Sequence, residues 1–251
     1  MEQGMKQIQG WYAVAENRRI AEGVYEMTLL GDTRALTAPG QFVNVRLDGL
    51  FLRRPFSVCD WDERGLTILY KVVGRGTGQM SACKPGDSLD LLVGLGNGFD
   101  PRHGEKPLLI GGGMGVAPLY ALAKALLARG VKPRAALGFA RAEDVFYTER
   151  FEALGVPAAL VTVDGSMGEK GFVTDAIAAG ELDYDYFYAC GPQPMLRAVS
   201  AVCSTEGQLS FEERMGCGFG ACMGCSCKIL TGYKRICKEG PVLLKSELMW
   251  D

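Results

Sequence analysis

The sequence predicts a β plus α/β chain: an antiparallel barrel, then a parallel sheet covered by helices, then a short cysteine-rich tail. Three observations predict it. Residues 7–99 run as short strand-like segments separated by turn residues. Residues 105–210 change to strand followed by helix, repeated. Five of the nine cysteines fall within the 21 residues from Cys217 to Cys237. These changes place domain boundaries at 1–103, 104–210 and 211–251.

The barrel strands are expected at 12–20, 24–31, 41–47, 55–60, 66–74 and 88–96. Alternation is clearest in the third, where Phe42, Asn44 and Arg46 share one face and Val43, Val45 and Leu47 the other. The α/β part reads as strand 107–112, helix 117–130, strand 134–140, helix 145–155, strand 158–164, helix 172–180, strand 184–191 and helix 193–205. No internal repeat or low-complexity run is visible.

With 251 residues and 48% hydrophobic content, the chain can bury one large core or two ordinary ones plus a small appendage. A formal charge of −2 and a pI near 5.6 give no basic excess to attract nucleic acid or an anionic membrane. The segment 107–127 is apolar over the length of a membrane span. It nevertheless carries a glycine run, Pro118 and Lys124, so strand, glycine turn and helix explain it better. The first twenty residues lack the charged and apolar regions of a secretory signal. Nine cysteines are therefore expected in a reducing cytoplasm, as metal ligands or buried groups rather than disulfides.

Several stretches carry chemistry. In 108–118 a buried strand feeds Gly111-Gly112-Gly113-Met114-Gly115, and Pro118 falls in the first helical turn. Backbone N–H groups and the helix dipole there suit a pyrophosphate, although Gly113-x-Gly115-x-x-Pro118 departs from the usual G-x-G-x-x-G; a ligand-free tight turn is the lesser alternative. The loop Cys190-Gly191-Pro192 opens at the same carboxyl edge of the sheet, so both face one crevice. In the barrel, Arg54-Pro55-Phe56-Ser57 offers a guanidinium and a hydroxyl to phosphates and a flat ring to a cofactor, against an ordinary solvated Arg pair. Leu69-Tyr70-Lys71 and the glycine-rich loop around Gly76-Thr77, leading into a short helix, supply a second strand end and a second anion cradle.

The tail reads Cys217-x4-Cys222-x2-Cys225-x11-Cys237. That is the spacing by which four thiolates hold a plant-type 2Fe-2S cluster. Gly216, Gly218, Gly220 and Gly224 would let backbone N–H groups turn toward the sulfurs. A structural zinc favours two C-x2-C knuckles, of which these ligands contain one, and a disulfide pair is the other alternative. Cys59, Cys83 and Cys203 read as small buried hydrophobes.

In order and spacing, Arg54-Pro55-Phe56-Ser57, Gly76-Thr77, Gly112 to Pro118 and Cys190-Gly191-Pro192 resemble the ferredoxin–NADP reductase superfamily. With the tail, including Cys237-Lys238-Glu239-Gly240-Pro241-Val242, nearly all 251 residues resemble the electron-transfer subunits of type B dihydroorotate dehydrogenase. The resemblance implies a Greek-key flavin-binding barrel and an NAD-binding domain. It implies FAD held by Arg54, Pro55, Phe56, Ser57, Leu69, Tyr70, Lys71, Gly76 and Thr77. NAD would meet Gly112, Gly113, Gly115, Cys190, Gly191 and Pro192, with Cys190 near the nicotinamide. Cys217, Cys222, Cys225 and Cys237 would hold the cluster, with Cys227 outside it.

Nicotinamide exchanges two electrons, the cluster one, and a flavin both, so the order is NAD, FAD, 2Fe-2S, partner. By resemblance the partner is an FMN-containing catalytic subunit that oxidises dihydroorotate, in a 2+2 heterotetramer, and this chain is a relay with no catalytic residue of its own. Only about thirty residues surround the cluster, against a full domain in oxygenase reductases, which leaves a side for that partner to cover. The stretch 139–144 holds one arginine and two acids, favouring NAD over NADP. His103, alone of its kind, sits in a linker and is given no catalytic role. Two other readings stand: a flavin and iron–sulfur subunit of an electron-bifurcating oxidoreductase or a hydrogenase, and a zinc-stabilised nucleotide-binding interaction module.

Overall fold

Residues 7–180 and 182–250 are described by the computed structural model. Six antiparallel strands, β1 (Ile8–Ala21), β2 (Val24–Leu30), β3 (Phe42–Val45), β4 (Arg54–Trp61), β5 (Gly65–Lys71) and β6 (Ser88–Leu95), close a barrel in the order β1-β2-β5-β4-β3-β6. Short helix α1 (Arg75–Ser81) links β5 to β6. Met27, Leu29, Val43, Val45, Ile68 and Leu91 fill the interior. The face of β3 that carries Phe42 and Asn44 is also buried, because the tail and the second domain cover it.

The second domain begins with β7 (Pro107–Gly112) and helix α2 (Val116–Ala128), joined by one 3-10 turn at Gly113–Gly115. It continues through β8 (Arg134–Phe139), α3 (Thr148–Ala153), β9 (Ala158–Thr162), β10 (Glu169–Lys170), α4 (Val173–Ala178), β11 (Tyr186–Cys190), α5 (Gln193–Val202) and β12 (Gly207–Ser210). Every residue of β7 and of β11 is buried, as strands covered on both faces require.

Two details depart from the sequence reading. Helix α3 is shorter than 145–155, because Tyr147 adopts a left-handed φ of 68° that no helix accommodates. The tail also does not stay apart. After the hairpin β13 (Ser226–Ile229) and β14 (Gly232–Arg235), strand β15 (Val242–Leu244) pairs antiparallel with β12. The sheet order is β10-β9-β8-β7-β11-β12-β15.

These unions fix the three parts against one another. Val24, Cys59 and Leu69 of the barrel share one core with Val116, Leu119 and Leu122 of α2. Lys124 of α2 reaches Asp60 of β4 at 2.6 Å. Asn97, just past β6, donates to the carbonyls of Glu239 and Val242 at 3.0 and 2.8 Å and accepts the Val242 N–H at 3.1 Å. Cys59 and Cys203 are buried as expected, whereas Cys83 is half-exposed, its thiol near the Gln79 carbonyl.

Candidate functional site

Between the barrel and the α/β domain lies a cavity of about 320 Å³. Its walls include Pro55, Phe56, Ser57, Leu69, Tyr70 and Lys71, and also Thr77 and Cys190. Eight of the residues singled out in the sequence thus converge. Strand alternation sets Phe56 inward beside Tyr70, whose ring it meets edge-on at 6.0 Å. Tyr70 is mostly a core residue: its hydroxyl donates to Asn17 at 2.8 Å, and burial pushes its pKa well above the usual phenol range. Arg54 and Gly76 are not on the wall. They adjoin each other at its edge, where the Arg54 guanidinium donates to the Leu52 carbonyl at 2.6 Å. Thr77 organises its loop from within, its hydroxyl accepting the Val73 and Gly74 N–H groups at 2.9 and 3.2 Å.

A second cavity, of about 280 Å³, opens beside the first. Gly112, Gly113 and Pro192 line it, with Phe139, Ala140 and Asp144 opposite. Lys71 and Met114 line both cavities. Gly115 and Gly191 lie behind the wall and hold its two loops together. A Cβ on Gly115 would sit 2.1 Å from the Cys190 carbonyl oxygen, and one on Gly191 would meet the Met195 methyl at 2.6 Å. Cys190 faces the first cavity rather than the second. Burial, and then the Glu212 carboxylate, push its pKa up to about 12, so the thiol stays neutral. At the second cavity Lys71 pairs with Asp144 at 2.9 Å, and Arg141 is engaged by both Glu143 and Asp144. The one arginine of that stretch is therefore already neutralised. His103 stacks on Tyr186 at 5.1 Å in the linker, away from both cavities.

The tail brings its thiols together in two pairs. The Cys217 N–H points at the Cys222 sulfur at 3.5 Å, and the Cys222 N–H returns to the Cys217 sulfur at 3.4 Å. In the second pair the Cys237 N–H points at the Cys225 sulfur at 3.4 Å. Among the described residues no three Cys, His, Asp or Glu side chains converge as a single ion would require. Two pairs suit two bridged irons, each taking two thiolates. Further donors come from Ala221 to Cys217 at 3.2 Å and Gly224 to Cys222 at 3.5 Å. Burial opposes ionisation of Cys217, but the Phe219, Cys222 and Ala221 N–H groups outweigh it and bring the pKa down to about 6. Deep in the tail, Cys237 moves the other way, up to about 12 through burial and then the neighbouring Cys225 thiol.

The tail's glycines do more than the expected donation, which Gly224 makes to the Cys222 sulfur. Among Gly216, Gly218, Gly220 and Gly224, it is Gly218 and Gly220 that take left-handed φ values, 77° and 90°, and so wrap the loop. Gly218 also sits where a Cβ would lie 1.8 Å from the Asn44 amide nitrogen. Arg235 closes the loop, donating to the Gly220 carbonyl at 2.6 Å and pairing with Glu239. Cys227 is turned elsewhere, onto a separate cavity with Gln193, Arg197 and Trp250.

Two family models match this chain. Residues 212–249 match the iron–sulfur cluster binding domain of dihydroorotate dehydrogenase B, and residues 109–201 the oxidoreductase NAD-binding domain. The dihydroorotate dehydrogenase B (NAD(+)) electron transfer subunit of Geobacillus sp. (strain WCH70) is 44% identical over 98% of this chain and 99% of its own length. That of Bacillus caldolyticus is 46% identical over 94% and 96%. The chain belongs to the family of dihydroorotate dehydrogenase B electron transfer subunits. This family is one of oxidoreductases, and the NAD-binding and iron–sulfur domains of this member are those of an electron carrier. Its fold is shared with an NADH-dependent reduced ferredoxin–NADP oxidoreductase, at TM-score 0.87 and 29% identity over 95% of this chain and 90% of that one. A ferredoxin–NADP+ reductase from Neisseria gonorrhoeae shares the fold at TM-score 0.67 and 16% identity, over 77% and 89% of the two chains.

Several lining residues of this family member escaped the sequence reading. Met114 comes to the first cavity from the 3-10 turn and Ala117 from the start of α2, and Ser210, Phe211, Glu212 and Met215 from the end of β12 onward. Proximity in sequence to Cys217 was the one available signal for the last of these. Asn44 gave none. It is buried beside the cluster loop, with its carboxamide oxygen unpartnered.

Proposed function

We propose that this chain relays electrons from an FMN-containing catalytic subunit, which oxidises dihydroorotate to orotate, through its own 2Fe-2S cluster and FAD to NAD+. The observation that carries the reading is the adjacency of the three sites. Lys71 and Met114 wall both cavities, and Met215, two residues before Cys217, walls the first. FAD fits the first cavity: an aromatic and apolar lining from Phe56, Leu69 and Met114, with the Ser57 hydroxyl on the wall and Arg54 and the α1 start at the edge. NAD fits the second, where Gly113, open on its side-chain side, leaves room for a close pyrophosphate. The paired thiols with inward N–H groups fit a 2Fe-2S cluster.

When bound, FAD converts the two-electron exchange of NAD into the single-electron exchange of the cluster. The chain's residues set the geometry. Cys190 stays a neutral thiol, Lys71 keeps its charge compensated by Asp144, and the Arg141, Glu143 and Asp144 set leaves no free cation for a 2′-phosphate. Cys225 and Cys237 are buried, while Cys222 is exposed between Phe219 and Met223, themselves half-exposed apolar residues. The catalytic subunit would dock there, in a 2+2 heterotetramer. No helix among the described residues is long and apolar enough to cross a membrane, and a reducing cytoplasm suits nine cysteines with no disulfide among them.

An electron-bifurcating ferredoxin–NADP oxidoreductase subunit is the second reading, favoured by the 0.87 TM-score. Identity supports the first: 44 and 46% to the named electron transfer subunits against 29% to that protein. The test is an anaerobic visible spectrum with iron, sulfide and flavin quantified, repeated after mixing with a dihydroorotate-oxidising FMN protein. Dihydroorotate should then bleach the flavin of this chain. A colourless, zinc-loaded chain would overturn the proposal.

A further inference from the structure

Glu26, on β2, is a carboxylate 5% exposed at the join between the barrel and the α/β domain. A buried carboxylate is tolerated only with donors around it. Three groups supply them: the Arg18 guanidinium at 2.6 Å, the Tyr147 hydroxyl at 2.6 Å and the Arg150 guanidinium at 3.2 Å. Two of the three come from the α/β domain. Arg150 also lies over the Tyr147 ring at 4.8 Å. Tyr147 carries the left-handed φ of 68°, which a bulky aromatic holds only where its surroundings fix it. Just before it, Asp144 and Phe146 wall the second cavity.

The same segment is tied to the barrel twice more. The Glu143 carbonyl accepts the Glu22 N–H at 2.9 Å, and Asp144 pairs with Lys71 at 2.9 Å. We propose that Tyr147 is a positioning residue for the dinucleotide: anchored by Glu26, it holds the 139–147 segment in place as the outer wall of that cavity. The barrel thereby shapes a site built mainly from the other domain. Burial, and then the Cys59 thiol and Glu26, drive the phenol far above its ordinary pKa, so it remains a donor throughout the working range.

The inference rests on the second cavity being the NAD site, and its test separates the two. The holoprotein in complex with its catalytic subunit is mixed anaerobically with NADH, and flavin bleaching is followed across NADH concentrations. Tyr147→Phe removes one hydrogen bond to a charged group and should raise the NADH dissociation constant about tenfold, with FAD content and limiting rate unchanged within about twofold. An unchanged dissociation constant would overturn the proposal. Should that variant lose FAD, Glu26→Gln, which preserves the shape of the side chain, decides by the same readout. Ala140→Trp fills the cavity without touching Tyr147 or Glu26 and must itself weaken NADH binding. If it does not, the cavity assignment fails, and with it the role of Tyr147. If it does while Tyr147→Phe binds normally, the anchor alone fails.

Discussion

Gly115→Ala tests how the two loops of the α/β domain meet. Gly115 has φ −64° and ψ −13°, so alanine suits its backbone as well as glycine does. At a helix N-cap alanine gains nothing over glycine. Space weighs against it further. The new Cβ would lie 2.1 Å from the Cys190 carbonyl oxygen, 2.3 Å from its carbon and 2.6 Å from the Gly191 nitrogen. All three are backbone atoms, so no side chain can swing aside, and the loops must part by roughly 1 Å to restore normal contact. Overpacking of this kind costs about 1–3 kcal/mol. The thermal midpoint should fall by about 2–12 °C for a chain of this size. Because misplacement by about 1 Å can cost up to about 100-fold in rate, NADH-driven bleaching of the flavin should slow by tenfold or more. Differential scanning calorimetry and stopped-flow absorbance read the two effects. A variant as stable as the parent, with normal bleaching, would show that the close approach of these loops is not what shapes the site.

Arg54→Ala should weaken FAD binding about tenfold or more, as loss of a charged hydrogen-bonding group does, seen as flavin lost on gel filtration. Cys225→Ser and Cys237→Ser should abolish cluster iron and sulfide, whereas Cys227→Ser, turned toward Arg197 and Trp250, should retain both. Asp100 gives a pH prediction. Hydrogen bonds from Arg102 bring its pKa down from 3.8 to about 2, so its stabilising contribution is complete above pH 3.8 and is lost as pH falls toward 2. The difference in thermal midpoint between the parent and Asp100→Asn should therefore be constant above pH 5 and vanish across that lower window.

The barrel was legible because its strands are short β-prone runs that end at turn residues, and these local signals survive without knowledge of the fold. The glycine loops were legible for the same reason, since both sit where a strand hands over to a helix. Pairings distant in sequence were not. Strand β15 has three residues and joins β12 across more than thirty intervening ones, so nothing local announces it. Tyr147 lay inside a predicted helix because Thr148–Ala153 continues with helical composition; only the distant Glu26 explains the bend. The tail glycines were read as hydrogen-bond donors, which holds for Gly224; what Gly218 requires is the missing Cβ, with the sequence-distant Asn44 of β3 against it.

That last contact bears on how the relay is wired. Asn44 pairs with Pro55 in the β3–β4 register, so one strand step separates the wall of the first cavity from the residue that meets the cluster loop. On the other side, β15 fixes the far end of the tail to the sheet that also carries Cys190, and Asn97 ties the same end to the barrel. The cluster segment is thus held from both domains rather than hung from one. Single-electron transfer needs a short, constant gap between carriers, and a segment of about forty residues has too little core to hold one by itself. Val242 and Leu243 pack into the same cores as the sheet, which moves the burden of rigidity from the tail to the two larger domains.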